Sequence, residues 1–251
     1  MSAFRCDLHI HSCLSPCGNE DMTPGSIAGI AKLNGLNIAA LTDHNACDNC
    51  PSFFAACELY GVIPVAGMEL TTSEDIHLLC LFRTLEDALS FSDAVRERRI
   101  PICNRPEIFG RQLIIGPDDE PVGEEKDLLI NATTLSLAEA ASLVRGHGGA
   151  AVLAHIDRES NGILSALGGM PDEPDFPAVE YREPERILEL EREHPILRTK
   201  RRIVSSDAHR LWEISDPGYP LNLPCAADAS AQTVRDALND YLSGKRSGGQ
   251  T

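Results

Sequence analysis

Apolar runs alternate with helical patterns along most of the chain. Phe4 to Ile10 reads as a first strand. Thr23-Pro24 then opens a helix, with Thr as N-cap and Pro in the first helical position; Ile27, Ile30 and Ala31 share one face and Gly35 ends it. "LNIAALTDHN" is a second strand, and Pro51 to Tyr60 a short helix closed by Gly61. "VIPVAGMEL" and "IHLLCLF" are the third and fourth strands. Thr84 and Asp87 have capping-box spacing and start a helix to about Arg98.

From Ile100 to Thr134 the rhythm changes. "RQLIIGPDDEPVGEEKDLLINAT" contains two strand-like runs around a polar turn rich in Gly and Pro, which predicts a β-hairpin insertion at about 100–135. Ser136 and Glu139 then cap a helix ending near Gly146, and "GGAAVLAHID" has the continuous apolar character of a buried parallel strand. "PAVEY", a helix from about Pro184 to Glu193, "RIVSSDAH" and a helix from Ala231 to Leu242 complete the pattern. The tail at 244–251, GKRSGGQT, reads as disordered.

Seven strands separated by helices predict an α/β fold, either a parallel barrel or a doubly wound sheet. The strand runs close on HIH, TDH, GMEL, IH, AHID, VEY and SSDAH, so groups able to bind metal collect where barrel enzymes build active sites. Six of the eight histidines follow this rule; His147 and His194 do not. His9 and His11, two residues apart on one strand, point to the same face.

Composition narrows the function. The net charge of −16 argues against an extended nucleic-acid footprint, although bound cations can reverse the field locally. No apolar run approaches the ~20 residues of a membrane helix, and the N-terminus lacks a signal-peptide pattern. The expectation is a cytoplasmic protein with one domain over 1–243. Nine cysteines, an odd number without a secretory signal, argue against a disulfide framework.

Imidazoles with carboxylates suit Zn, Mn or Fe. Six histidines with Glu69 and Asp207 exceed one coordination sphere and suit two or three ions if a carboxylate bridges. The ordered series HIH, TDHN, GMEL, a downstream His, AH and SSDAH, running from Asp7 to about His209, resembles the PHP (polymerase and histidinol phosphatase) domain family. That resemblance implies a distorted, TIM-barrel-like seven-stranded (β/α) barrel with two or three divalent transition-metal ions. It implies that His9, His11, Glu69 and Asp207 hold a first ion. Glu69 would bridge to a second, completed by His77 and His155, and His44 and His209 would hold a third. Many family members place an Asp or His shortly after the H-x-H pair; here the stretch reads SCLSPCG, which leaves Cys17 or Asp21 to complete the third site. Cys17 would favour zinc or iron.

The activity implied is that of a phosphoesterase acting on a small phosphorylated substrate, a nucleotide or phosphorylated metabolite. A hydroxide between two ions would attack phosphorus while Glu69 holds the ions together. A nuclease trimming oligonucleotide ends, an amide hydrolase and a non-catalytic metal-binding domain are the alternatives. Arg158, three residues beyond His155, is placed either to grip phosphate or to pair with Glu159. Asp43 stands either as the partner of an imidazole or as a turn residue. Cys47 and Cys50, with Cys13 and Cys17, have the composition of a separate thiolate site or a redox pair, and Arg105, Arg111 and Gln112 on the insertion that of a lid.

Overall fold

The computed structural model describes residues 1–214 and 220–245. The tail predicted to be disordered lies outside them from residue 246 onward. The elements run β1 (Ser2–Phe4), β2 (Cys6–Ile10), α1 (Pro24–Leu33), β3 (Ile38–Leu41), α2 (Cys50–Tyr60), β4 (Ile63–Thr71), β5 (His77–Leu81) and α3 (Leu85–Arg96). Then come α4 (Pro106–Phe109), β6 (Leu113–Ile115), β7 (Pro121–Glu124), α5 (Leu137–Gly146), β8 (Ala150–Leu153), α6 (Ile163–Leu167), β9 (Ala178–Tyr181), α7 (Ile187–Glu193), β10 (Arg201–Val204), β11 (Leu221–Leu223) and α8 (Ala231–Leu242).

Seven strands form one sheet in the order β10-β9-β8-β5-β4-β3-β2. Its two edges meet through a parallel bridge between Ile10 and Ala208, with His11 N–H donating to Ala208 O at 2.9 Å, so the sheet curls into a nearly closed barrel. Alternate residues line its inside: Ile38, Ala40, Val65, Leu79, Val152, Ala178 and Ile203 form one apolar cluster, to which α8 adds Val234, Leu238 and Leu242. The opposite faces of β3 and β4, including Ala39, Leu41, Ala66 and Met68, pack in a second cluster with α1 and α2.

The local signals act as their chemistry requires. Thr23 Oγ1 accepts from Ser26 N–H, Thr84 from Asp87 N–H, and Ser136 with Glu139 forms a complete capping box. Gly61 ends α2 in the left-handed conformation, φ 68°.

Two features depart from the sequence reading. The sheet is not wholly parallel: β5 runs antiparallel to both neighbours, β4 and β8. Only residues 72–76 connect β4 to β5, enough for a hairpin but not for the crossover of a dozen or more residues that a parallel pair needs. The first strand is also broken at Arg5, and β1 pairs instead with β11 in a separate two-stranded sheet. The hairpin of the insertion is present as β6 and β7, antiparallel and mostly outside the barrel wall.

Candidate metal centre

β2 carries a register shift between Asp7 and Ile10. Such a bulge re-aims side chains. Leu8 packs in the interior cluster, Ile10 in the outer one, and both His9 and His11 are fully buried at the same end of the barrel. His44 follows β3, Glu69 lies near the end of β4, and His155, Asp207 and His209 follow β8 and β10. His77 breaks the rule of strand C-termini, since it is the first residue of β5. Because β5 is antiparallel, its beginning lies at the same barrel end, and His77 joins the others.

The donors fall into three groups, each with its ligand atoms within 4.8 Å of one another: His9, His11, Glu69 and Asp207; Glu69, His77 and His155; and His11, Cys17, His44 and His209. Asp21 is exposed and belongs to none of them. Glu69 divides its oxygens. Oε1 lies 2.7 Å from His77 Nδ1, 2.9 Å from His155 Nε2 and 3.4 Å from His9 Nε2, whereas Oε2 lies 3.2 Å from His11 Nε2 and from His44 Nδ1.

Ring nitrogens approach closely, His9 Nε2 to His11 Nε2 at 3.1 Å and His77 Nδ1 to His155 Nε2 at 3.2 Å. Two nitrogens on one tetrahedral zinc would stand about 3.3 Å apart. Asp207 Oδ1 and His44 Nδ1 are buried without a hydrogen-bond partner, which is where an ion is needed. The residues therefore fit divalent ions.

The electrostatics agree. Burial alone would raise the Glu69 and Asp207 carboxyls, but the surrounding imidazoles outweigh it and hold both well below the usual carboxylate range. Burial pulls His9 and His11 down, yet the carboxylates of Glu180, Glu69 and Asp207 hold His9 well above its ordinary value, and those of Asp207 and Glu69 hold His11 at about 9. His44 is depressed by burial and His209 falls to about 4, again from burial first and the neighbouring His11 second. His155 and Asp207 adopt positive φ, 24° and 51°, rare for residues with a Cβ. Backbone strain of this kind gathers at functional sites.

Supporting contacts fix the rings. His9 Nδ1 donates to Glu180 Oε2 at 3.0 Å, leaving Nε2 for the cluster. His209 Nδ1 donates to Asp207 O at 2.8 Å. Asp43 does not act on its neighbour His44. It accepts from Ser12 N–H, Ser12 Oγ and Ser15 Oγ, and Ser15 Oγ in turn accepts from His11 Nδ1 at 2.9 Å. Glu180 and Ser15 were given no role by the sequence. The signal for Glu180 is its place in VEY, one of the strand ends at which groups able to bind metal collect.

Arg158 pairs with Asp207 Oδ2 at 2.7 Å rather than with Glu159, and Arg182, unnoticed in the sequence, reaches the same oxygen at 3.1 Å. Both guanidinium side chains remain about 40% exposed at the rim. Asp157 braces this wall by accepting the Arg182 and Glu183 backbone N–H groups.

The other sequence candidates take structural places. Cys47 and Cys50 are buried, with their thiols toward Gly67 O and Leu41 O, and neither joins a metal-binding group among the described residues. Gln112 is not a lid residue: it is buried and clamps the insertion through Glu125 O, Asp127 O and Leu129 N. Arg111 pairs with Glu124 on the exposed hairpin, and Arg105 is the exposed residue before α4. The insertion sits beside the site, where Leu113 N–H donates to Cys13 O and Asn45 Nδ2 to Leu129 O.

The sequence profile of the PHP domain matches residues 7–157, more than half of the chain. The protein belongs to the PHP family. No curated protein matches the sequence. Among solved structures, this PHP protein is similar to the lesion-specific endonuclease PfuEndoQ of Pyrococcus furiosus, with TM-score 0.67 and 16% identity over 98% of this chain. It spans 57% of the endonuclease's length. A Bifidobacterium adolescentis protein proposed to be a metal-dependent phosphoesterase gives TM-score 0.55 and 21% identity, covering 93% of this chain and 95% of its own. An amidohydrolase from Chromobacterium violaceum gives TM-score 0.53 and 19% identity, covering 92% and 96%. These likenesses establish the fold. No helix among the described residues is long and apolar enough to cross a membrane.

Proposed function

We propose that the protein hydrolyses the phosphoester of a small phosphorylated substrate, a nucleotide or phosphorylated metabolite. The observation that carries this reading is the central place of Glu69, which belongs to two donor groups and meets His77 and His155 through Oε1 and His11 and His44 through Oε2, beside a rim bearing two half-exposed arginines. His9, His11, Glu69 and Asp207 would hold one ion, Glu69, His77 and His155 a second, and the group around His44 and His209 a third. Divalent ions there supply Lewis acidity to a phosphoryl oxygen and bring the pKa of attacking water toward ~7.

The chain's own residues do the positioning. Glu180 and the Asp43–Ser15 pair fix which ring nitrogens of His9 and His11 face the cluster. Arg158 and Arg182 each spend one nitrogen on Asp207 Oδ2, which keeps Oδ1 turned inward. Their remaining N–H groups are free to bind phosphoryl oxygens bidentately. The acidic surface favours small substrates over long polyanions. The test is turnover of phosphorylated metabolites and nucleotides by protein loaded separately with Mn, Zn or Fe; no release of phosphate from any of them would refute the reading.

A second reading, cleavage of oligonucleotides, is favoured by the fold likeness to endonuclease Q, whose structure is known with a 27-mer duplex carrying an abasic lesion. End-labelled single strands and abasic duplexes tested in parallel distinguish the two.

A further inference from the structure

The insertion carries an apolar turn that the fold does not use. In α4, Ile108 and Phe109 are 56% and 38% exposed, and neither joins an apolar cluster among the described residues. Single exposed apolar side chains are ordinary, but these two are adjacent and sit on a braced turn. Gly110 ends α4 at φ 89°, and its carbonyl accepts from the buried Asn104 Nδ2 at 2.9 Å. A Cβ at Gly110 would stand 2.6 Å from Pro16 O, so only glycine lets the turn touch the 12–18 loop. Cys17, the next residue of that loop, is exposed, and its sulfur belongs to a donor group. α4 therefore stands at the mouth of the cluster and not on the flank of the barrel.

The turn lies across that mouth from the arginines. The insertion rests on the exits of β2 and β3, through Leu113 N–H to Cys13 O and Ile115 N–H to Asn49 Oδ1, both at 2.8 Å. Arg158 and Arg182 follow β8 and β9, separated from those exits by β10 on one side of the ring and by β4 and β5 on the other. A phosphoryl group held between the ions and the arginines has the apolar turn on its far side. Phosphate and base of a nucleotide are separated by one sugar, whereas a phosphorylated sugar or acid has no apolar face to bring to Phe109. Arg105, just before α4, is exposed and has no ion-pair partner among the described residues, so a cation stands beside the aromatic in a chain of net charge −16. Aromatic faces and guanidinium planes are the surfaces on which unpaired bases stack.

We propose that Phe109, with Ile108, receives the base of the substrate, which makes that substrate a nucleotide rather than another phosphorylated metabolite. Every base has a π-face, so such a surface accepts the different bases with little choice among them. The proposal rests on the phosphoesterase reading and narrows it. Recognition through one stacked base also agrees with the acidic surface, which gives a long polyanion no track to follow.

The test uses metal-loaded protein and compares adenosine 5′-monophosphate with ribose 5-phosphate, the same ester without the base. The wild type should prefer the nucleotide. Phe109→Ala should lower kcat/KM for the nucleotide by ~5–150-fold, the effect of losing one base–aromatic stack, and leave that for ribose 5-phosphate unchanged. The loss should lie in KM, and Phe109→Tyr, which keeps the ring, should not show it. A Phe109→Trp variant reads stacking without turnover. Adenosine 5′-monophosphate should quench the fluorescence that this variant adds to that of Trp212, and ribose 5-phosphate should not. Equal losses on both substrates, no loss on either, or no base-dependent quenching overturns the proposal. Turnover of both esters with none of these differences loses this proposal alone. Phosphate release from no ester at all loses the proposed function, and the quenching then decides by itself whether a base binds at Phe109.

Discussion

His9 donates its Nδ1 proton to Glu180 Oε2 across 3.0 Å, deep in the barrel and out of reach of solvent. The same oxygen accepts the His155 backbone N–H, so one carboxylate orients a ring in one donor group and the chain of a residue in another. Carboxylates placed behind metal-binding histidines fix the ring and raise its basicity. Glu180→Gln keeps the shape and weakens the acceptor. Metal affinity at the His9 group should drop ~10–100-fold with the fold retained, as read by competition with a chelating dye. Unchanged affinity would remove His9 from the ligands.

Glu69→Gln should have the larger effect. A neutral amide is a poor ligand and cannot join two cations, so turnover should be abolished and metal content should fall by at least one ion per chain. Elemental analysis beside an activity assay reads both. Near-normal turnover with a full metal complement would exclude the shared carboxylate from the mechanism.

Arg158→Ala and Arg182→Ala should leave metal content intact and raise KM. A charge-assisted hydrogen bond contributes ~1.5–3 kcal/mol, which corresponds to ~10–100-fold. Because Asp207 Oδ2 keeps one guanidinium in either single variant, only the double variant should also disturb the Asp207 ligand. If neither single change moves KM, the phosphate grip lies elsewhere.

Metal uptake should release protons. His11 is held at about 9, against burial, by Asp207 and Glu69. At neutral pH it therefore carries a proton that an ion must displace. The sign follows: apparent affinity rises as pH rises, and the rise levels off above that value. Titration calorimetry at pH 7 in two buffers of different ionisation enthalpy should give different apparent heats. Identical heats would mean that no proton leaves.

Much of this protein is written in short-range pattern. His9 and His11 share a face because side chains on a strand alternate, and the helix starts at Thr23, Thr84 and Ser136 are cap chemistry within one turn. The seven strands, the hairpin at Leu113–Glu124 and the chain order of the donors were legible for the same reason. Tertiary structure decided the rest. Which end of the barrel His77 occupies depends on the direction of β5, set by the short link at 72–76 and by pairing on both sides. Glu180 and Arg182 are ordinary residues of one strand and its exit; they gain meaning only because barrel closure puts His9 and Asp207, distant in sequence, against them. Cys17 reaches the cluster rather than Asp21 because two tight turns and the Asn19–His209 hydrogen bond fold its loop back over the site. Local periodicity fixes which way a side chain faces along its own element, but the partner it meets there depends on contacts made after the chain has closed on itself.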